Sequence, residues 1–232
     1  VSGEMSRPVV AVVHATPASL APVTAAFASG YPPADLWHLL DDRLDRDALA
    51  AGGLNAELAG RMERLIQYAV DAGADAVQLA CSMYGPVAGR VEHPVPVVPA
   101  DRGVFDRVAE LAPRRVLILA SLAPAATDSQ ERLTSSLAEA GQEADVFATV
   151  ADSARAAALA GDLDALTDAL AAEVEAMLEA GRPPDVVALA QYSLSTVADR
   201  VEEKLGIPVL GGPPLAATNL ARLLADRAVE AS

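Results

Sequence analysis

The chain has 232 residues, and 52% of them are apolar, which is enough for a sizeable core in one large domain or two small ones. A net charge of −15 and a pI near 4.5 exclude a nucleic-acid partner or an anionic membrane surface, because both need a Lys/Arg face. No apolar run reaches the ~20 residues that span a bilayer, no leader pattern is visible at the start, and the single cysteine cannot form an internal disulfide, so a cytoplasmic location is expected.

In chain order, short runs rich in Val, Leu and Ile predict strands at Val9–Val13, Leu36–Leu39, Ala76–Leu79, Val95–Val98, Val116–Leu119, Asp145–Ala148, Val186–Leu189 and Ile207–Leu210. Ala-rich helical patterns lie between them, among them Asn55–Ala72, Asp101–Leu111, Gln130–Ala140, Leu163–Ala180 and Thr196–Leu205. Apolar strands that alternate with helices indicate parallel sheets covered on both faces. Gly73, Gly141, Gly181 and Gly206 each follow a helical run, where a left-handed C-terminal cap is expected.

The chain repeats itself. Asp75–Glu92 (DAVQLACSMYGPVAGRVE) aligns with Asp185–Glu202 (DVVALAQYSLSTVADRVE) at an offset of 110, with nine of eighteen positions identical. Arg7–Pro17 aligns with Arg114–Pro124 at an offset of 107, and the prolines match. The matched Asp, Arg and Glu are not required by generic strand–helix patterning. The predicted fold is therefore α/β, with two pseudo-symmetric Rossmann-like lobes that each hold a four-stranded parallel sheet. Lobe one takes residues 7–99 plus 213–232, and lobe two takes 100–212. Ligands of such sheets bind beyond the carboxyl ends of the strands, so the expected active site is a cleft between the lobes.

Cys81 closes one strand run and opens the next helical stretch. Backbone N–H groups and a helix N-terminus at that place favour the thiolate. The alternative is a small buried hydrophobe. The segment LACSM at Leu79–Met83, the second-lobe segment LAQYS and the following LGIPVLGGPPLAA resemble the aspartate/glutamate/hydantoin racemase superfamily over nearly the whole chain. That resemblance implies a cofactor-independent enzyme with a cysteine in each lobe, on opposite sides of the substrate α-carbon. One thiolate removes the α-proton and the other thiol returns one. The superfamily also includes arylmalonate decarboxylases with one cysteine, and maleate isomerases whose cysteine attacks a double bond.

The pattern departs at one place. The offset sets Gln191 opposite Cys81, where the resembled racemases carry their second cysteine, and glutamine offers only hydrogen bonds. Tyr192 could donate a proton, and His14, at a strand end, titrates in the working range, so Cys81, Tyr192 and His14 are the catalytic candidates. Thr16, Ser82, Ser121, Gln191 and Ser193 are the candidates for binding a carboxylate, with helix capping the alternative for the hydroxyls. Asp41 and Asp42 could orient a substrate amine or a base, or could be solvated; Trp37 and His38 read as structural. No metal or cofactor is expected. The lone Lys204 sits in a charged helix rather than at a strand end, no G-x-G-x-x-G follows a strand, and the histidines lack zinc spacing.

The resulting expectation is a racemase-like isomerase acting on a small carboxylic acid through the Cys81 thiolate and a carbanion or enediolate. A homodimer is compatible with it. The alternatives are a single-cysteine decarboxylase-like lyase and a non-catalytic carboxylate-binding paralogue. In the resembled decarboxylases the lone cysteine lies in the other lobe.

Overall fold

The strand runs carry apolar side chains on both faces, and the computed structural model, which describes residues 7–30 and 34–230, buries them between helices. The chain divides into two units, one ending at Ala100 and resuming at Ala216, the other spanning Asp101–Leu215. Residues 231 and 232, assigned to lobe one from the sequence, lie outside the described residues.

The first unit contains β1 (Val9–His14), α1 (Leu20–Gly30), β2 (Asp35–Leu40), α2 (Leu44–Ala50), α3 (Ala56–Asp71), β3 (Ala76–Leu79) and β4 (Val97–Val98). Its strands are all parallel, in the order β2-β1-β3-β4. The second unit contains α4 (Arg102–Leu111), β5 (Arg115–Ala120), α5 (Ala123–Glu139), β6 (Asp145–Val150), α6 (Asp152–Ala160), α7 (Leu163–Glu179), β7 (Val186–Leu189), α8 (Ala198–Leu205) and β8 (Val209–Leu210). Its sheet has the matching order β6-β5-β7-β8. The boundary between the units falls inside α9 (Gly212–Glu230).

Strand alternation decides which helices each residue meets. On the first sheet, Ala11, Val13, Val77 and Leu79 pack with Leu58, Met62 and Ile66 of α3. On the second, Leu117, Leu119, Val187 and Leu189 pack with Leu166 and Leu170 of α7, while Val116, Ile118 and Ala188 on the opposite face pack with α4 and α5. Helix α5 begins at Ala123, seven residues ahead of the predicted Gln130, because Pro124 in its first turn is favourable there. Gly73, Gly141, Gly181 and Gly206 all have positive φ.

The duplication extends to individual hydrogen bonds. The N–H of Asp75 donates to Val9 O at 2.8 Å, and that of Asp185 to Arg115 O at 2.9 Å. The Ala80 N–H meets Val13 O, and the Ala190 N–H meets Leu119 O. The repeated charged residues have structural work. Asp75 accepts the Val9 N–H, Asp185 accepts the N–H groups of Arg114 and Arg115, Arg90 pairs with Glu63, and Arg200 pairs with Asp164.

These bonds correct one part of the alignment. They relate β1 to β5 at an offset of 106, not 107, since Val9↔Asp35 is matched by Arg115↔Asp145. The prolines still align because one extra residue lies between the end of β5 and Pro124. A one-residue slip moves every side chain to the other face. Ser121 is thus the counterpart of Ala15, and His14 that of Ala120.

Candidate active site

Cys81 lies two residues beyond β3 in extended conformation, with φ −142° and ψ 118°. It caps a 3-10 helix, Ser82–Val87, rather than an α-helix; the Tyr84 N–H donates to Cys81 O at 3.2 Å. Gln191 has the same setting, with φ −134°, ψ 138°, a 3-10 helix over Tyr192–Val197, and a Leu194 N–H donating to Gln191 O at 3.1 Å. Each is half-buried. The two positions are backbone counterparts, each in its own unit.

Three residues on from Cys81, one 3-10 turn brings Tyr84 back to its side. Tyr84 is fully buried, and its hydroxyl donates to Leu44 O at 2.9 Å. Burial, then negative charge at Cys81, push its phenol upward, so Tyr84 holds its proton near neutral pH. Arg61, from α3, binds both oxygens of Asp41 at 2.6 Å and reaches Asp47 at 2.9 Å. Asp41 is therefore held by Arg61, while Asp42 is exposed. The sequence reading passed over both Tyr84 and Arg61. The 3-10 period would have found Tyr84, and a guanidinium beside Leu58, Met62 and Leu65 on the apolar stripe of α3 signals a partnered charge.

His14 is fully buried, and both ring nitrogens are engaged: Nδ1 with Ser19 Oγ at 2.7 Å and Nε2 with His38 Nδ1 at 2.9 Å. Burial and the neighbouring His38 lower its pKa to about 4. Thr16 caps the short helix after β1, accepting the Ala18 N–H at 3.4 Å. Trp37 packs into the core and against Tyr68, with ring centroids 5.5 Å apart.

In the second unit, Ser121 donates to Gln191 Oε1 twice, from its N–H at 2.7 Å and its hydroxyl at 2.9 Å. A backbone N–H can only donate, so the accepting atom must be the amide oxygen. Gln191 consequently turns its NH₂ away from Ser121 as a donor. Beside it Tyr192 is buried, and burial, then the charge of Asp101, raise its phenol well above the ordinary value. Asp101 in turn is ion-paired with Arg132. Ser82 is buried and Ser193 half-buried.

The Tyr192 ring lies so close to Gly212 that an added Cβ would sit 2.4 Å from Cε1. Gly212→Ala is expected to destabilise the protein by about 1–3 kcal/mol through overpacking. A denaturant midpoint equal to that of the wild type would show that the ring can swing aside.

Cys81 is thus a half-buried thiol beside Tyr84, Gln191 is an amide oriented by Ser121, and His14 and Tyr192 are buried. A 370 Å³ depression beside β4, around Glu92 and His93, holds none of these residues. Among the described residues no group of three or more His, Cys, Asp or Glu is arranged for a metal, and no helix is long and apolar enough to cross a membrane.

The fold is a duplicated α/β fold shared with solved aspartate and allantoin racemases. The aspartate racemase of Picrophilus torridus matches with a TM-score of 0.74 and 12% identity over 94% of each chain. The allantoin racemase from Klebsiella pneumoniae matches with a TM-score of 0.69 and 16% identity, over 95% of this chain and 89% of that one. An arylmalonate decarboxylase matches with a TM-score of 0.59 and 20% identity, over 94% and 92%. No protein-family model and no curated protein matches the chain. At these identities the likeness is one of fold.

Proposed function

We propose that the chain is a single-cysteine member of the aspartate/glutamate/hydantoin racemase superfamily, working without a cofactor as a racemase-like isomerase on a small carboxylic acid. The observation that carries this reading is the thiol of Cys81, half-buried at the carboxyl end of a parallel strand in the fold the racemases share.

In the proposed reaction the Cys81 thiolate takes the α-proton. The C–H electron pair moves into the carboxylate, giving an enediolate, and the thiol becomes neutral. The N–H groups of the turn that follows Cys81 stabilise the growing negative charge on oxygen. Return of a proton from the thiol, exchanged with solvent, restores the carboxylate in its starting configuration; slow inversion follows when water protonates the opposite face and the hydroxide left behind takes the thiol proton. Tyr192, its proton held by burial, is no rival base.

A second reading is supported by the cysteine count and by Gln191, whose amide cannot deliver a proton. In it the acid loses carbon dioxide, the C–C electron pair stays behind as an enediolate, and the Cys81 thiol supplies the one proton needed.

Incubation in deuterated water with each enantiomer of aspartate, glutamate and allantoin, and with phenylmalonate, separates these readings. Isomerase chemistry gives α-deuterium with one stereochemical preference and slow interconversion of enantiomers, because only the Cys81 side exchanges protons. Carbon dioxide released from phenylmalonate would favour the lyase. Ligand binding that survives Cys81→Ala, with neither exchange nor decarboxylation in the wild type, would favour the non-catalytic binder.

A further inference from the structure

The pairing register sets Val12 opposite His38, so His14 and His38 lie diagonally on one face of the first sheet, with ring centroids 5.1 Å apart. They form the middle of a chain of five hydrogen bonds whose two ends are both backbone carbonyls. The Ser19 hydroxyl meets Thr16 O at 3.0 Å, His14 Nδ1 meets Ser19 Oγ at 2.7 Å, and His38 Nδ1 meets His14 Nε2 at 2.9 Å. His38 Nε2 meets Thr24 Oγ1 at 3.3 Å, and the Thr24 hydroxyl meets Leu20 O at 2.9 Å.

Five links need five hydrogens. The two hydroxyls and two neutral imidazoles supply only four, and the carbonyl ends can only accept. One link is therefore open in the neutral chain. The longest, at 3.3 Å between His38 and Thr24, is that link. Reading inward from Thr16 O, Ser19 spends its hydrogen on the carbonyl, so His14 must donate from Nδ1. His14 Nε2 then accepts, so His38 must also donate from Nδ1. One added proton on His38 Nε2 closes the last link without moving anything. A second proton, on His14 Nε2, would face the His38 N–H and break the chain.

We propose that His14 and His38 are a positioning pair that takes up one proton, at His38, and thereby locks the β1–α1 loop to helix α1. The pair cannot relay a proton into the loop, because the chain ends on a carbonyl. His14 acts through Ser19 and Thr16 and is not the second acid. The surroundings leave the proton count undisturbed. Helix α1 has no charged side chain from Leu20 to Gly30, and neither has the Pro17–Ser19 turn. Asp35 lies at the far end of β2, and Asp41 is held by Arg61. Gln78, on the neighbouring strand, is neutral. Burial lowers the affinity of both rings for protons, and His14 is the more deeply buried. The importance of this loop to turnover rests on the function proposed above; the hydrogen-bond count does not.

Two-bond ¹H–¹⁵N spectra of the imidazoles in the full chain test the pair without any substrate, so its failure and that of the enzymatic reading are separable. At pH 8 both rings are expected as Nδ1–H tautomers. On acidification His38 gains a second proton while His14 stays neutral with its tautomer unchanged. Thr24→Val, at an exposed position, removes the acceptor for that proton and moves the His38 midpoint to lower pH. Ser19→Ala raises amide exchange at positions 16, 18, 19 and 20 at least tenfold, with the rest of the first unit unchanged. An Nε2–H tautomer on either ring, protonation of His14 first, or a His38 midpoint unmoved by Thr24→Val would overturn the proposal.

Discussion

Cys81→Ser is expected to lower turnover of whichever acid the wild type deprotonates by about 10²–10⁴-fold, the scale of a lost general base. The substitution changes one atom at a half-buried position in extended backbone, so packing and the 3-10 turn that follows are retained. A serine hydroxyl holds its proton far more tightly than a thiol and is almost wholly un-ionised near neutral pH. Iodoacetamide should match the substitution, since it can alkylate only Cys81, and loss of activity should track loss of that thiol mole for mole. Substrate added beforehand should slow the alkylation. Full activity in a completely alkylated sample, or in Cys81→Ser, would end the thiolate mechanism.

Stability should fall as pH drops from 7 towards 4, and His14 should be a main cause. Its folded pKa is about 4, against an ordinary value near 6.5 in the unfolded chain. Between those values the unfolded state binds the proton and the folded state does not. The contribution is therefore fully present above pH 6.5 and is lost as the pH falls through the window to about 4. The full loss is about 3 kcal/mol, and about 2 kcal/mol of it arrives by pH 5. His38, also lowered by burial, acts in the same direction. Urea midpoints at pH 7 and pH 5, before most carboxylates titrate, isolate the effect. His14→Asn should lose most of the slope. A wild type equally stable at both values, or a variant with an unchanged slope, would show that His14 is not the titrating group.

Much of this architecture could be read from the residues. Continuous apolar strands required parallel sheets with both faces covered, and the identical flanks around Cys81 and Gln191 fixed those two as counterparts. The strand offset could not be read correctly, because Pro17 and Pro124 mark helix starts rather than strand register, and one residue in the intervening loop separates the two. The burial of His14 was partly legible: alternation puts it on the face of Val10 and Val12. Its partner His38 required the β1–β2 register, which is set by tertiary pairing. Tyr192 was harder still, since its setting depends on Gly212, twenty residues away. The repeated Asp and Arg, which marked the duplication, hold strand edges and helices in place in the fold.

The boundary inside α9 makes the first unit discontinuous and the second continuous. During synthesis the ribosome therefore delivers every residue of the second unit before the stretch from Ala216 that the first still needs. The unit that carries Cys81 begins first and finishes last: its four strands are all made before Asp101, and the sheet then waits for the stretch of α9 from Ala216.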